Sequence, residues 1–282
     1  MIRESNKEDY SNIIFDFGDN WSKYLSVLNE ERINNAETSL REMLNIDKLE
    51  NKYILDAGSG SGLFSLAAKR LGAVVHSFDY NRQSVACTEE LKNRYFKNDP
   101  DWIIEQGSVL DRDYLGGLGK FDIVYCWGVL HHTGAMWIGL ENIAGHVSDN
   151  GLLYIAIYND QGWKSHLWWF IKYFYNKLPW PLNRIYGYTI GYGANILNII
   201  KYTILLRPIE AVRPIIKYKN YRGMSISHDI IDWLGGFPYE FAKYEILEEY
   251  MKLKGFELVR GKQATSHGCH EMIFKLITPQ RK

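Results

Sequence analysis

The chain has 282 residues, enough for one large domain or for a core with an inserted subdomain. Basic and acidic residues both number 33, so the formal net charge is zero and no global field attracts nucleic acid or a membrane. The three cysteines are odd in number and widely spaced, which argues against a disulfide framework. Because the N-terminal residues also show no apolar signal-peptide segment, we expect a cytoplasmic protein.

The pattern of apolar residues predicts a mixed α/β fold. Residues 20–49 space apolar side chains at helical intervals and predict an amphipathic N-terminal helix. Short apolar runs then alternate with helical stretches as far as Tyr158, which predicts βαβ units and a doubly wound parallel sheet. The runs are KYILDAG, AVVHSFDY, WIIEQGSVL, FDIVYCWG and GLLYIAIYN. Residues 239–255 predict a helix, and FELVRGK and HEMIFKLIT predict an antiparallel hairpin at the sheet edge.

Residues 163–206 differ in composition from the rest, with twelve aromatic residues, five lysines or arginines and no acid. We expect a helical lid over the substrate, whose surface would also serve a homo-oligomer. An interfacial segment on anionic headgroups stays open as a peripheral membrane contact, including one at the inner membrane. A transmembrane span is disfavoured because Asn195, Asn198 and Lys201 interrupt the run. No nucleic-acid partner is expected, since the net charge is zero and no RNA-binding module is seen.

The segment ILDAGSGSG predicts a buried strand that runs into a glycine-rich turn. Its glycines are Gly58, Gly60 and Gly62. A dinucleotide fingerprint would need another glycine where Leu63 stands, and Asp56 would repel a pyrophosphate but can hold an amine directly or through water. Asp79 closes the next strand, where a carboxylate can accept both hydroxyls of a ribose. The pattern disfavours a nicotinamide-dependent oxidoreductase and favours a nucleotide with an amino-acid tail.

Residues 52–158 resemble class I S-adenosylmethionine-dependent methyltransferases in the order and spacing of four motifs. These are ILDAGSGSGLFSLAAKRLGA, HSFDYN, GSVLD and FDIVYCWGVLHHTG. The resemblance implies a Rossmann-like doubly wound sheet with an antiparallel last strand, an N-terminal helical element and a largely helical insert after strand five. It implies S-adenosyl-L-methionine as cofactor, although many members carry an acid where Ser108 stands. The cofactor-binding residues it implies are Asp56, Gly58, Ser59, Gly60, Gly62, Asp79, Tyr80, Ser108, Val109, Cys126 and Trp21.

His131 and His132 follow the fourth strand, where ligands of such a sheet gather. A neutral imidazole can take a proton from the methyl acceptor. Methyl transfer from a sulfonium often needs only in-line positioning, so a capping histidine and a packing histidine remain the alternative. His132 is favoured because its position corresponds to an active-site polar residue in similar loops of the family, and His228 is the third catalytic candidate.

Two further segments resemble a bacterial subgroup of small-molecule methyltransferases of surface-polysaccharide or secondary-metabolite type. They are RGMSISHDIIDWLGGFPYEFA and, near the N-terminus, FDFGDNW, which the resemblance implies to be a lid. The predicted substrate-binding residues are Phe17, Asp229, Trp233, Tyr239, Tyr158 and Asn159. The alternatives are that His228 and Asp229 cap a helix that packs Trp233, and that FDFGDNW is a hydrophobic staple.

No metal site is expected, because His267 and Cys269 are two ligands without a partner pair. We predict four segments: an N-terminal helical lid at 1–50, a cofactor-binding core at 51–160, a substrate-capping insert at 161–242, and a C-terminal helix and hairpin at 243–282. The predicted function is S-adenosylmethionine-dependent methyl transfer to an oxygen or nitrogen of a small polar metabolite, such as a sugar or nucleotide-linked precursor. The alternatives are a membrane-peripheral methyltransferase acting on a lipid or isoprenoid-linked substrate, and a non-catalytic S-adenosylmethionine-binding partner protein.

Overall fold

The structure is a computed structural model that describes residues 25–26, 28–204 and 233–277, with the side chains of residues 28–193 and 233–277 among them. The described chain divides into two compact units. We call the larger one, which runs to Ser165 and resumes at Glu240, the core unit, and His166–Tyr239 the insert unit. Four predicted site residues lie outside the described residues: Phe17, Trp21, His228 and Asp229.

One seven-stranded sheet forms the centre of the core unit, in the order β3-β2-β1-β4-β5-β7-β6. The strands are β1 Tyr53–Ala57, β2 Val74–Asp79, β3 Trp102–Gln106, β4 Phe121–Trp127, β5 Val147–Tyr158, β6 Phe256–Lys262 and β7 Cys269–Leu276. Strands β1 to β5 pair in parallel, whereas β7 is antiparallel to both β5 and β6. This topology confirms the predicted doubly wound sheet with an antiparallel last strand.

The helices of the core unit connect these strands. They are α1 Glu30–Leu44, α2 Leu63–Arg70, α3 Arg82–Tyr95, α4 Arg112–Gly116, a 3-10 turn at Leu130–His132, α5 Met136–Ala144 and α8 Tyr244–Leu253. Helix α1 covers the part of the predicted 20–49 segment that begins after its N-cap Asn29, whereas residues 20–24 and 27 lie outside the described residues. The Asn29 side chain accepts a hydrogen bond from the Arg32 amide at 3.0 Å, and Asn45 ends the helix in the left-handed conformation.

Two hydrophobic clusters cover the two faces of the sheet. Neighbouring residues of β1 point to opposite faces, so Ile54 packs with α1 to α3 and Leu55 packs with α5 and α8. Because β1 to β5 run in parallel, their carboxyl ends meet at one edge of the sheet. The glycine loop, Asp79, Ser108, the paired histidines and Tyr158 all lie on this edge.

Two helices make up most of the described insert unit: α6 Trp163–Lys177, which begins in the core unit, and α7 Leu182–Ile204. Their facing sides pack Trp168, Ile171 and Tyr175 of α6 with Tyr186 and Ile190 of α7, together with Leu234. Within the described residues, neither helix nor any other has the length and apolar character to cross a membrane.

Candidate active site

The glycine loop after β1 is built from backbone that is held on β2. Gly58, Gly60 and Gly62 all have positive φ, at 88°, 54° and 78°. The amides of Gly58 and Ser59 donate to the Phe78 carbonyl at 2.8 and 3.0 Å. A Cβ atom on Gly58 would lie 2.3 Å from Cγ2 of Val129, so only glycine fits there. The turn therefore presents backbone at the sheet edge, as a nucleotide cradle requires.

Asp79, the last residue of β2, is bonded to this loop. Its Oδ2 accepts from the Gly60 amide at 2.9 Å, and its Oδ1 accepts from the Asn81 amide at 2.8 Å. Burial raises the pKa of the Asp79 carboxyl, and the bonds from Asn81 and Gly60 oppose that shift. Each carboxylate oxygen has further acceptor capacity. The two amides thus orient a carboxylate that can receive ribose hydroxyls.

Asp56 lies deeper than its place in the motif suggests. Its side chain is 3% exposed and accepts a hydrogen bond from the Ser65 hydroxyl. Ser65 Oγ lies 2.7 Å from Ser77 Oγ, which accepts from the Trp102 indole N–H at 2.9 Å. The three donors form one buried chain that ends at the carboxylate. This chain fixes the orientation of the Asp56 carboxylate.

The pKa of Asp56 is raised to about 7. Burial is the main cause, the hydrogen bond from Ser65 opposes the shift, and the nearby charge of Asp79 adds to it. The carboxyl borders a cavity of ≈ 10 Å³ that Ser65 and Tyr125 also line. That volume is close to what one water molecule needs. Contact between Asp56 and a cofactor ammonium stays a prediction, and the depth of the carboxyl favours a contact through water.

The other predicted cofactor residues of the core unit differ in exposure. Tyr80 is 63% exposed beside Asp79, and Ser108 Oγ accepts from the Leu110 amide at 3.1 Å. Val109 and Cys126 are buried in the hydrophobic cluster beneath the edge. Tyr80 and Ser108 are therefore accessible to a ligand, whereas Val109 and Cys126 pack in the core beneath these residues. Their contact with a cofactor stays a prediction.

Three aromatic rings pack together where β4 and β5 end. The His131 and Tyr158 ring centroids are 3.8 Å apart, and the His132 ring lies 4.5 Å from His131 and 5.4 Å from Tyr158. His131 is 1% exposed, whereas His132 is half-buried. His131 therefore packs against Tyr158, and His132 is the histidine of the pair with surface to offer an acceptor.

Glu240 holds the histidine turn in place, and sequence reasoning missed it. Its carboxylate oxygens accept from the Met136 amide at 3.1 and 3.2 Å, at the start of α5. Its own amide donates to the His131 carbonyl at 2.9 Å. Burial raises the pKa of Glu240 to about 7, against the bonds from Met136 and Gly134. The sequence contains one indirect indication of this contact. Ala135 precedes α5 and has no side chain that could cap the helix, so another residue must accept the hydrogen bond from its first amide.

Asn159, a predicted substrate contact, supports the neighbouring loop. Its side-chain amide donates to the carbonyls of Ala264 and Ser266 at 3.0 and 3.2 Å. His267 of the same loop lies 3.3 Å from the Gln161 side chain. Over the ranges that the structure describes, no group of three or more metal-ligating side chains occurs.

Trp233 and Tyr239 surround a buried lysine in the insert unit. Nζ of Lys172 lies 4.0 Å from the Trp233 ring centroid and 4.9 Å from that of Tyr239. It donates to the Trp233 carbonyl and, at 3.4 Å, to the Gly236 carbonyl. Burial lowers the pKa of Lys172 to about 7. The substrate role predicted for both aromatic residues stays a prediction, and their observed contact is with this ammonium group.

The sheet order, the glycine turn and the acid at the end of β2 define a Rossmann-like nucleotide-binding domain. Residues 55–153 match the family described as "Methyltransferase domain". The chain therefore contains a class I S-adenosylmethionine-dependent methyltransferase domain, which confirms the resemblance seen in the motifs. The donor used by this class is S-adenosylmethionine.

Two of the solved structures that share the fold illustrate the likeness. Magnesium protoporphyrin IX methyltransferase from Synechocystis PCC 6803, with bound SAH, is 13% identical, with 86% of this chain and 82% of that chain covered and a TM-score of 0.51. PKMT2 from Rickettsia typhi, in complex with AdoHcy, is 12% identical and has a TM-score of 0.56. The match covers 88% of this chain and 53% of that chain. At these identities the likeness concerns the fold alone.

One curated relative is similar in sequence. Ubiquinone biosynthesis O-methyltransferase from Coxiella burnetii (strain RSA 493 / Nine Mile phase I) is 24% identical over 159 residues. The match covers 56% of this chain and 62% of the length of that relative.

Proposed function

We propose that this protein transfers a methyl group from S-adenosylmethionine to an oxygen of a small polar metabolite. The observation that carries the proposal is the hydrogen bond from the Gly60 amide to the Asp79 carboxylate. It joins the glycine turn and the acid into one preformed cradle, on the same sheet edge as His132. The curated relative is an O-methyltransferase by name, which supports oxygen as the acceptor atom.

The residues of the core unit suit the parts of this donor. Asp79 accepts the ribose hydroxyls, and Gly58 leaves the turn free of a side chain where the cofactor lies. Asp56, in its ionised form, supplies a negative charge for the ammonium of the methionine tail. When bound, S-adenosylmethionine supplies a sulfonium methyl group that an acceptor oxygen attacks in line, and S-adenosylhomocysteine is left.

His132 takes the proton that the acceptor hydroxyl loses. A neutral imidazole accepts a proton near neutral pH, and His132 is half-buried beside Tyr158. His131 packs against Tyr158 and supports the turn, and the Glu240 amide donates a hydrogen bond to the His131 carbonyl. The turn thus presents one histidine on a rigid base.

The test is incubation of the protein with methyl-labelled S-adenosylmethionine and a cell extract separated into aqueous metabolites, organic-soluble lipids and macromolecules. We expect the label in an aqueous small molecule, on an oxygen located by fragmentation in the mass spectrometer. His132→Ala should lower the turnover number by about 100-fold or more, the range for loss of a general base, with little change in cofactor affinity. Label in the lipid or macromolecule fraction, or on nitrogen, would contradict the proposal.

A further inference from the structure

The helices of the insert unit are apolar on two faces. One face of each packs against the other helix, as described above. Other apolar side chains of both helices and of the turn between them are exposed, and we call this set the outer aromatic surface. It comprises Leu167, Phe170 and Phe174 of α6, Trp180 of the turn, and Leu182, Ile185, Tyr188 and Tyr192 of α7.

This surface is exposed in the chain. Trp180 is 79% exposed, and Phe170 and Phe174 are 55% and 54% exposed. On α6 the outer residues follow each other at three- and four-residue intervals, so they form one stripe. Helices that are apolar all round are ordinarily buried, and exposed apolar patches of this kind mark interaction sites. We therefore expect another molecule to bind the outer aromatic surface.

The charges beside the surface indicate what covers it. Residues 163–204 contain no acid, and three of their basic residues, Lys164, Lys177 and Arg184, have exposed side chains. Lys177 and Arg184 are exposed on either side of Trp180 in the sequence. A second copy of the chain would bring basic residues against basic residues, which opposes association. Anionic lipid headgroups match the basic residues, and the headgroup region accommodates tryptophan, tyrosine and phenylalanine.

We propose that the outer aromatic surface docks on a bilayer with anionic headgroups, with α6 and α7 lying in the interface and not crossing it. The aromatic side chains enter the boundary between headgroups and acyl chains, while Lys177 and Arg184 contact the headgroups. This goes beyond the proposed function, because methyl transfer to a polar metabolite requires no membrane.

Flotation of the full chain with vesicles tests the proposal. The protein should float with phosphatidylcholine vesicles that contain phosphatidylglycerol and float much less with phosphatidylcholine alone. Raised salt should weaken the binding, because the charge contribution is screened. A protein that stays at the bottom of the gradient with both vesicle types would overturn the proposal. The readout needs neither a methyl acceptor nor turnover, so it is separate from the test of the proposed function.

Variants locate the contact. The double variant Phe170→Ser and Phe174→Ser should bind anionic vesicles at least about tenfold more weakly, because two buried aromatic rings are lost. Lys177→Glu with Arg184→Glu should abolish the preference for phosphatidylglycerol. Leu253→Ser is the matched control, since Leu253 is 80% exposed on the core unit and should keep full binding.

Circular dichroism and S-adenosylhomocysteine binding establish that each variant is folded. Undiminished flotation of the phenylalanine double variant would overturn the proposal. So would a wild-type dimer that the same variant dissociates, with no binding to vesicles, because the surface would then be a contact between two copies.

Discussion

The carboxylate of Asp79 accepts a hydrogen bond from the backbone amide of Gly60, at an N–O distance of 2.9 Å. These residues end or follow two neighbouring strands, β2 and β1. The bond links the glycine turn directly to the acid. Preorganisation of this kind lowers the cost of ordering a site when a ligand binds.

We predict that Asp56 makes cofactor binding dependent on pH. Its pKa is raised from 3.8 to about 7, so folding takes up a proton between these values, and its contribution to stability falls as pH rises through that window. A cofactor ammonium favours the ionised carboxylate. The affinity for S-adenosylhomocysteine should therefore increase between about pH 5.5 and pH 7, by up to about tenfold per unit, while the ligand's amino group stays protonated.

Calorimetry over this pH range measures the effect and the proton released on binding. Asp56→Asn should bind more weakly and with little pH dependence. Glu249→Ala, a change of an exposed acid on α8, should keep the wild-type slope. An affinity for wild type that is flat with pH would show that Asp56 does not respond to the ligand.

Tyr125 should be bonded to an internal water. Its hydroxyl is buried and has no hydrogen-bond partner among the described residues, yet it borders the ≈ 10 Å³ cavity together with Asp56 and Ser65. Three polar partners suffice for one buried water. Tyr125→Phe should then lower the free energy of unfolding by about 1 kcal/mol, measured in urea. A more stable Tyr125→Phe variant would mean that the hydroxyl is unsatisfied in the native protein.

Loss of the Glu240 carboxylate should destabilise the histidine turn. Glu240→Ala removes the acceptor for the Met136 amide, a loss comparable to that of a helix cap and worth about 1 to 2 kcal/mol. Urea unfolding measures it. Glu240→Gln should recover part of the loss because its amide oxygen still accepts. S-adenosylhomocysteine should bind both variants about as well as wild type, and Glu248→Ala serves as the exposed control.

A stability for Glu240→Ala equal to that of wild type would contradict this role. A large loss of S-adenosylhomocysteine affinity in either variant would show instead that Glu240 supports the cofactor site.

Lys172 should stabilise the insert unit in a pH-dependent way. Its pKa falls from 10.5 to about 7, so the folded state binds fewer protons than the unfolded state between these values, and stability rises with pH across that window. Lys172→Met should remove this slope and cost about 1 to 3 kcal/mol, because the carbonyls of Trp233 and Gly236 lose a donor.

Unfolding in urea between about pH 7 and pH 9.5, followed by tryptophan fluorescence, measures this contribution. Lys177→Met is the matched control, since Lys177 is exposed on the same helix. Equal pH dependence in Lys172→Met and wild type would rule out the assignment.

The sequence predicted the parts of the site that are local in the chain. Gly58 and Asp79 belong to a strand, a turn and the end of the next strand, and their residue types follow from backbone conformation and hydrogen bonding. The alternation of apolar runs likewise predicted the parallel sheet that β1 to β5 form. Such features depend on neighbouring residues, so a single sequence contains the needed information.

Features that depend on tertiary contacts could not be predicted in this way. Glu240 accepts a hydrogen bond from Met136 across 104 residues, and the missing cap at Ala135 does not indicate which distant residue supplies the acceptor. The chain from Trp102 to Asp56 joins β1, α2, β2 and β3, and it exists only once the strands are in register. Similarly, the Asn159 side-chain amide donates to the Ala264 carbonyl. This contact could not be predicted, because the sequence does not show where the loop that contains Ala264 lies.

The most direct measurement is calorimetric titration of the protein with S-adenosylhomocysteine, for wild type, Asp79→Ala and the exposed control Glu249→Ala. We predict one site of micromolar affinity in wild type and in Glu249→Ala. Asp79→Ala should bind at least about tenfold more weakly, because it loses the acceptor for the ribose hydroxyls and for the Gly60 amide. Wild type without binding, or Asp79→Ala with wild-type affinity, would contradict the account.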